Sequence, residues 1–278
     1  AAARCPVPWL KRLNTPSEPA SPSLVSQFWG HEGAVTAVAF SRTLDLLASG
    51  SRDGTVRIWD ARTGKCHFIL CNPASGADRH PWVTALAFLP DSSGVVSATR
   101  DGAISVWKLN ANPPSRRTFR VEEGDVLSMA ISPDGSMVAT GSSNCKVSLW
   151  LLPTGSLVRK FEGHRAAVKA LAFSPNGQEL ASGADDCAIN IWRLTRPGHV
   201  TVHQDTWVHA LAYSPDGRTL VSGGGLDRGL LRFWNPENGE CLRILHGHTG
   251  GVRSLDYSPD GRRIASGSFD RTVLVRDP

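Results

Sequence analysis

The stretch Leu47–Asp60, LASGSRDGTVRIWD, contains two short apolar runs separated by a turn. Asp53-Gly54 supplies the turn, because glycine tolerates positive φ angles at little cost. The run TVRIW after it alternates between apolar and polar residues, which is typical of a β-strand with one buried face. Closely similar stretches return as LASGADDCAINIWR from Leu180 and as IASGSFDRTVLVRD from Ile264. The chain therefore repeats one supersecondary unit, and such repetition predicts a repeat fold.

The repeats can be counted from the valine that opens the first apolar run of each. Six valines occupy this position, spaced by roughly 40 to 50 residues: Val35, Val83, Val126, Val168, Val208 and Val252. A hydroxyl residue follows every valine at one fixed distance: Ser49, Ser97, Thr140, Ser182, Ser222 and Ser266. The constant distance indicates that the six segments fold in the same way.

Each repeat is predicted to form four short antiparallel strands. VTAVAF and VKALAF are strand-like, and the SPDG and SPNG sequences that follow several first strands have the residues of tight turns. A sheet of four short strands cannot bury both of its faces alone, so the sheets must stack on one another. Charged residues make up only 20% of the chain and glycine is frequent, which also favours an all-β fold.

These features resemble those of the WD40-repeat family, in which repeats carry Gly-His near the start and Trp-Asp near the end. The resemblance covers about Ser23 to Pro278 and implies an all-β WD40 β-propeller of four-stranded blades. Six blades are favoured, with Ser23–Trp29 as the outer strand of the last blade beside Thr272–Arg276. The alternative is a seven-bladed propeller of which this sequence is a truncated part. Residues 1–22 are predicted to be an irregular N-terminal extension of the propeller at 23–278.

The family resemblance also implies a buried hydrogen-bonded tetrad of His, Ser or Thr, Asp and Trp in many blades. The first and fourth repeats have all four residues: His31, Ser49, Asp53 and Trp59, then His164, Ser182, Asp186 and Trp192. In the other repeats at least one residue differs: Arg79 and His80, Glu122 or Gln204 stands at the His position, and Arg276 stands at the last Trp position. Those four repeats are expected to depend more on apolar packing.

The sequence offers no convincing catalytic, cofactor or metal site. Ser49, His31 and Asp53 have the composition of a hydrolase triad, but the recurrence of the same trio beside a Trp favours a structural role. The glycine-rich stretch Gly223–Gly229 lacks the Lys-Ser/Thr of a phosphate-binding loop. No Cys/His cluster has zinc-ligand spacing. We therefore expect a protein that is not an enzyme and that binds no cofactor or metal.

Composition constrains where the chain is expected to act. The six cysteines are interpreted as free thiols, which suits a reducing compartment. No apolar run reaches the roughly 18 residues needed to cross a bilayer. The expected location is therefore intracellular, either cytoplasmic or nuclear. The net charge of +5 favours acidic protein surfaces or, more weakly, RNA-rich assemblies as partners.

The WD40 pattern places the residues beside each anchor valine, and the residue before each turn Asp, on one narrow face that we call the top face. Aromatic and cationic residues stand there: Arg52, Trp82, Arg100, Lys169, Trp207, His209, Arg253 and Phe269. Aromatic and arginine side chains dominate binding hot spots, so an acidic peptide or loop is the expected partner. In a competing interpretation, Trp82 and Trp207 fill the space of the missing tetrad His residues.

The function that the resemblance implies is that of a non-enzymatic scaffold for a multiprotein complex. One alternative is a substrate-recognition or sensor module of a larger protein, such as a ubiquitin-ligase receptor or an NTPase-type sensor. Another is a structural subunit of a ribonucleoprotein, although no aromatic and basic RNA-binding motif is present. The sequence names neither the partner nor the pathway, and it leaves the oligomeric state open.

Overall fold

A computed structural model describes residues 27–72, 81–121, 124–225 and 229–278. Within these ranges the chain forms 23 β-strands and no helix, so no helix there could cross a membrane. The strands belong to six sheets, and the strand order within each sheet follows the chain. The prediction of an all-β chain with six repeated sheets is therefore confirmed.

The first three sheets have four strands each. Sheet 1 comprises β1 (Val35–Phe40), β2 (Leu46–Ser51), β3 (Thr55–Asp60) and β4 (Cys66–Cys71). Sheet 2 comprises β5 (Val83–Phe88), β6 (Gly94–Thr99), β7 (Ala103–Lys108) and β8 (Ser115–Arg120). Sheet 3 comprises β9 (Val126–Ile131), β10 (Met137–Ser142), β11 (Val147–Leu151) and β12 (Leu157–Phe161).

Sheets 4 and 5 also have four strands, and sheet 6 has three among the described residues. Sheet 4 comprises β13 (Val168–Phe173), β14 (Glu179–Ala184), β15 (Ala188–Arg193) and β16 (His199–His203). Sheet 5 comprises β17 (Val208–Tyr213), β18 (Leu220–Gly224), β19 (Gly229–Trp234) and β20 (Cys241–His248). Sheet 6 comprises β21 (Val252–Tyr257), β22 (Ile264–Ser268) and β23 (Val273–Arg276).

The predicted fourth strand of sheet 6, at Ser23–Trp29, falls mostly on residues 1–26, outside the described residues. Gln27–Trp29 are described and are not in a strand. The irregular extension at residues 1–22 also lies outside the described ranges. Both expectations therefore stay predictions.

The described residues divide into two compact units. One comprises residues 27–72, 81–97 and 105–117, and the other comprises residues 98–104, 118–121, 124–225 and 229–278. Sheet 1 belongs to the first unit and sheets 3 to 6 belong to the second, while sheet 2 contributes residues to both. Within each unit the core lies between successive sheets. In the first unit, Val83 packs so closely over Gly50 that a Cβ there would overlap it, and in the second unit Val208 covers Gly183 in the same way.

In sheets 1, 3, 4 and 6, the turn between the second and third strands contains a residue in the left-handed conformation. Gly54 has a φ of 80° there, but Cys145, Cys187 and Arg271 have φ angles of 69°, 65° and 67° at the corresponding turns. Such angles are uncommon for residues with a Cβ. The preceding Asp or Asn accepts hydrogen bonds within the turn, for example from the backbone N–H of Ala188 to Asp186, and so helps to hold the conformation.

The cysteines correct one expectation. Cys66, Cys145, Cys187 and Cys241 are free, as predicted from the sequence. Cys71, however, is disulfide-bonded. The interpretation of all six cysteines as free thiols was therefore wrong, because spacing along the sequence does not report which sulfur atoms come together in the fold.

Candidate interaction surface and buried hydrogen-bonded sets

The predicted tetrad in sheet 1 forms one continuous chain of hydrogen bonds. His31 Nδ1 lies 2.8 Å from Asp53 Oδ2, and His31 Nε2 lies 2.7 Å from Ser49 Oγ. The indole N–H of Trp59 donates to Ser49 Oγ at 2.8 Å. Since Asp53 accepts from Nδ1–H, His31 Nε2 is left to accept the serine proton. Burial raises the pKa of the Asp53 carboxyl, but hydrogen bonds from His31 and Thr55 outweigh burial and hold that pKa below its usual range.

Sheet 4 repeats this arrangement. His164 Nδ1 lies 3.1 Å from Asp186 Oδ2, and its Nε2 lies 2.8 Å from Ser182 Oγ, which also accepts from Trp192 at 2.8 Å. Burial lowers the pKa of the His164 imidazole, and the neighbouring Asp186 opposes this only in part. Burial also raises the pKa of Asp186, but hydrogen bonds from the backbone of Arg165 and Ala188 and from His164 bring it below its ordinary value.

Sheet 6 keeps three of the four residues. His248 bridges Asp270 and Ser266, with both contacts at 2.8 Å. Arg276, which stands where the other repeats have Trp, donates instead to the backbone carbonyl of His246. The hydroxyl of Ser266 therefore keeps its hydrogen bond with His248 but receives none from an indole, because Arg276 stands at the Trp position.

The structure corrects the expectation for sheet 5. Gln204 takes the place of His: Ser222 Oγ donates to its side-chain oxygen at 2.8 Å, and Trp234 donates to Ser222 Oγ at 2.8 Å. The Gln204 amide N–H group donates in turn to the carbonyls of Thr206 and Trp207 at 3.0 and 3.2 Å. The polar network is therefore intact, and apolar packing does not replace it.

Sheet 2 also has a substitute that the sequence did not reveal. Ser97 Oγ donates to Asn72 Oδ1 at 3.2 Å, and Trp107 donates to Ser97 Oγ at 3.1 Å. Asn72 directly follows β4, as Gln204 directly follows β16, and this shared position was the available signal. Counting back from Val83 led instead to Arg79 and His80, which lie outside the described residues.

Sheet 3 keeps a shorter series of hydrogen bonds. Trp150 donates to Thr140 Oγ1 at 3.0 Å, and the threonine hydroxyl points to the carbonyl of Ser148 at 3.4 Å. Asn144, which stands at the Asp position, accepts from Ser142 in its own turn. Glu122, the residue at the His position, lies outside the described residues.

These Ser–His–Asp sets are unsuited to hydrolysis. Ser49, Ser182 and Ser266 are at most 5% exposed, and in two of the sets an indole N–H donates a hydrogen bond to the serine hydroxyl. A catalytic serine must reach its substrate beside an oxyanion hole. Among the described residues, no group of three or more His, Cys, Asp or Glu is arranged to hold a metal ion.

The predicted top-face residues of the first unit form a stacked pair. The Arg52 guanidinium carbon lies 4.6 Å from the centre of the Trp82 ring, which is a cation–π geometry. The Trp82 residue is 40% exposed. This exposure leaves one part of the indole accessible while the arginine covers another.

In the second unit, the structure brings five of the predicted residues together around Asp185. Lys169 Nζ lies 3.6 Å from Asp185 Oδ2, and His209 Nε2 lies 3.1 Å from Asp185 Oδ1. Arg253 donates to His209 Nδ1 at 3.0 Å and lies 4.0 Å from the centre of the Phe269 ring. Trp207 is next to His209, with ring centres 6.0 Å apart. We call Lys169, Asp185, Trp207, His209, Arg253 and Phe269 the His209 cluster.

The contacts of His209 determine which of its ring nitrogens carries the proton. Because Arg253 donates to Nδ1, the imidazole must carry its proton on Nε2 and donate it to Asp185. Burial and the positive charge of Arg253 lower the pKa of His209, while Asp185 opposes them. A neutral histidine therefore connects a carboxylate of sheet 4 to a guanidinium of sheet 6. Asp185, which supplies the carboxylate of this contact, is not among the predicted top-face residues.

Arg100 stands apart from the His209 cluster in its interactions. Its Nε donates to Asp125 Oδ2 at 2.7 Å, and both side chains remain substantially exposed. The chain itself therefore already supplies a carboxylate to this arginine.

The recurrent tetrads and the turn geometry agree with a comparison against known families. The family model described as "WD domain, G-beta repeat" matches residues 22–60, 74–108, 114–150, 155–193, 195–235 and 239–277. The chain belongs to the WD40 family. Its fold class is the WD40 β-propeller, with one blade for each of the six matched repeats.

Several curated proteins are similar to parts of this chain. A zinc finger CCCH domain-containing protein 17 of Oryza sativa subsp. japonica is 29% identical over 153 residues, 52% of this chain and 31% of that protein. The target of rapamycin complex subunit LST8 of Saccharomyces cerevisiae is 30% identical over 150 residues, 52% of this chain and 47% of that protein. A ribosome biogenesis protein BOP1 homolog of Oryza sativa subsp. japonica is 34% identical over 99 residues, 27% of this chain and 14% of that protein. The chain thus spans less than half the length of each relative.

Proposed function

We propose that this WD40 chain is a non-enzymatic scaffold that binds other proteins through the top face and assembles them into a complex. The observation that carries the proposal is the His209 cluster, in which Phe269 and Trp207 are 54% and 41% exposed beside two cations. Large aromatic groups exposed beside arginine are typical of protein-binding hot spots. The expected site of action is the cytoplasm or the nucleus.

The partner that suits this surface is an acidic peptide or loop. Within the cluster, Lys169 and Arg253 carry positive charges, Asp185 carries the single negative charge, and His209 is held neutral by its contacts. The remaining positive charge favours a carboxylate from outside the chain. Trp207 and Phe269 would contribute the buried apolar area of the contact.

The test measures both peptide affinity and melting temperature for each variant. Peptides displayed on phage would be selected for binding to the whole chain. The affinity of the enriched peptide would then be measured for wild type and for the Trp207→Ala and Trp82→Ala variants. We expect acidic sequences and a loss of roughly 2 kcal/mol in binding, with little change in melting temperature. Trp29→Ala is the matched control, because Trp29 is 59% exposed and is not among the predicted top-face residues.

Unchanged affinity together with a lowered melting temperature in both tryptophan variants would contradict the proposal. That result would support the competing interpretation, in which the two indoles fill space between sheets. Melting and binding must therefore be measured on the same preparation of each variant.

A second candidate is a structural subunit of a ribonucleoprotein. It is favoured by the similarity of part of the chain to a protein named for ribosome biogenesis, and by the net charge of +5. RNA binding falls steeply with salt because phosphate contacts release counterions. An aromatic-centred protein contact should depend on salt much less, so a salt titration against single-stranded RNA and the selected peptide separates the two functions.

A further inference from the structure

Within the second unit, the junction between sheets 4 and 5 contains a polar set at the end of β17. The hydroxyl of Tyr213, the last residue of that strand, donates to Glu179 Oε2 at 3.1 Å. Glu179 also forms an ion pair with Arg193, and the two side chains are 14% and 12% exposed. Arg193 donates further to the backbone carbonyls of Pro236 and Glu237 at 3.3 Å. A tyrosine, a carboxylate and a guanidinium therefore fill this part of the junction.

The junction between sheets 5 and 6 keeps the tyrosine but has lost the ion pair. Tyr257 ends β21, as its counterpart ends β17. Thr219 replaces the glutamate directly before the leucine of the second strand, and Asn235 replaces the arginine directly after the tryptophan of the third strand. Neither replacement is charged, and Asn235 accepts a hydrogen bond from the backbone N–H of Glu237 in its own turn at 2.9 Å.

A pocket of about 400 Å³ lies at this junction. Its volume is in the range of ordinary ligand sites, which begin at about 300 Å³. We call it the Tyr257 pocket. Its lining includes Thr219, Phe233, Tyr257 and Pro278, together with Asp216 and Asp260 from the two SPDG turns that follow β17 and β21.

The Tyr257 pocket is lined by negative charge. In each SPDG turn the serine hydroxyl and a backbone N–H donate to the aspartate at distances of 2.6 to 3.1 Å. These hydrogen bonds lower the pKa of Asp216 and of Asp260, so both carboxylates are charged at neutral pH. Burial and the charge of Asp216 raise the pKa of Tyr257 to about 12, so its hydroxyl keeps the proton. Arg218 and Arg263 act on these carboxylates but do not line the pocket.

We propose that the Tyr257 pocket binds an arginine side chain of a partner protein. The neighbouring junction supports this occupant, because there the chain places its own Arg193 beside a tyrosine and a carboxylate. A guanidinium can pair with carboxylates through two parallel hydrogen bonds, and the face of a tyrosine ring attracts a cation. Arginine is also enriched among the residues that fill pockets at protein interfaces.

This site is separate from the His209 cluster and takes a ligand of opposite charge. Arg253 stands at the start of β21, whereas Tyr257 stands at its end. The two sites therefore lie at opposite ends of the same strand. A scaffold with both sites could hold an acidic segment at one end of its sheets and a basic segment at the other.

The experiment uses the two tyrosines of the chain as reporters. Incorporation of 3-fluorotyrosine gives one fluorine NMR signal from Tyr257 in the pocket and one from Tyr213 in the filled junction, and Tyr213→Phe assigns them. The probe is a short capped peptide with one arginine among alanines, and its control carries citrulline, which has the same shape without the charge. We expect the arginine peptide to shift the Tyr257 signal saturably and to leave the Tyr213 signal in place. The citrulline peptide should shift neither.

The aspartates of the pocket have a matched control in another sheet. Asp216→Asn and Asp260→Asn should each weaken binding by about fivefold, the upper range for a partly exposed ion pair. Asp134→Asn changes the same SPDG turn in sheet 3, away from the pocket, and should leave the affinity unchanged. The turn tolerates this change, because Asn176 already occupies the position in sheet 4 and accepts the same hydrogen bonds.

A double variant closes the pocket from within. Thr219→Glu combined with Asn235→Arg restores the pair found in sheet 4 and should abolish binding of the arginine peptide, while melting verifies that the variant is folded. A Tyr257 signal that does not move at millimolar arginine peptide would overturn the proposal. Equal shifts of both tyrosine signals, equal binding of the citrulline peptide, or an equal loss of affinity in Asp134→Asn would overturn it as well.

Discussion

Gln204 and Ser222 reproduce in sheet 5 the contact that His164 and Ser182 make in sheet 4. The serine hydroxyl donates to Gln204 Oε1 at 2.8 Å, and the distance from Ser182 Oγ to His164 Nε2 is also 2.8 Å. A glutamine amide has an acceptor oxygen and a donor nitrogen, as a neutral imidazole has one acceptor and one donor nitrogen. The two side chains can therefore satisfy the same buried hydroxyl.

The first prediction concerns this substitution. Gln204→Ala should lower the free energy of unfolding by about 1–3 kcal/mol, because it removes the acceptor of a buried hydroxyl. Gln204→His should recover part of the loss by restoring an acceptor for Ser222. Urea denaturation measures both, and Gln178→Ala, at an exposed position, is the control. Equal stability of the Ala and His variants would argue against the network.

The second prediction compares two turn residues. Asp186 accepts hydrogen bonds from His164 and from the backbone of Arg165 and Ala188, whereas Asn144 accepts from Ser142. Asp186→Ala should therefore cost about 2 kcal/mol of stability. Asn144→Ala should cost less, because no histidine loses its partner. Equal shifts in the urea midpoint for the two variants would show that the tetrad does not hold its sheet together.

The third prediction concerns pH. Burial lowers the pKa of His164 from its ordinary value of 6.5, so the unfolded chain binds this proton more readily than the folded one. The stability that comes from neutral His164 is present above pH 6.5 and is lost as pH falls from there towards the lower pKa of the folded state. The lowered pKa of Asp186 acts in a separate window, below its ordinary value of 3.8.

The measurement is the free energy of unfolding of wild type and His164→Gln between about pH 7.5 and about pH 5.5. Wild type should lose stability across this range, and His164→Gln should lose less because it has no imidazole to protonate. His67→Gln is a suitable control, since His67 is substantially exposed. Parallel pH profiles for wild type and His164→Gln would contradict the assignment.

The fourth prediction concerns association with the selected acidic peptide. Arg253→Gln should slow association and reduce its dependence on salt, because long-range attraction acts mainly on the association rate. Arg100→Gln should have a smaller effect, since Asp125 already neutralises Arg100 at 2.7 Å. Stopped-flow measurements at two salt concentrations would compare them. A larger effect of Arg100→Gln would move the partner site away from the His209 cluster.

The sequence by itself determined the number and type of repeated sheets. The spacing of Val35, Val83 and their four equivalents, with a hydroxyl residue at a fixed distance, follows from a strand-and-turn unit that each sheet must repeat. The tetrads of sheets 1 and 4 were predictable for the same reason. The strand register fixes where the tetrad residues stand. Ser182 on β14 lies opposite Asn190 on β15, two residues before Trp192.

Only the tertiary structure decided which side chains substitute for the missing histidines and which charges meet in the His209 cluster. Asn72 reaches Ser97 from the end of a strand in the preceding sheet, and His209 lies between Asp185 and Arg253 of two other sheets. Repeat spacing fixes hydrogen bonds along one sheet. It does not fix side-chain contacts across sheets, because these depend on how closely neighbouring sheets pack and on the rotamers that this packing allows.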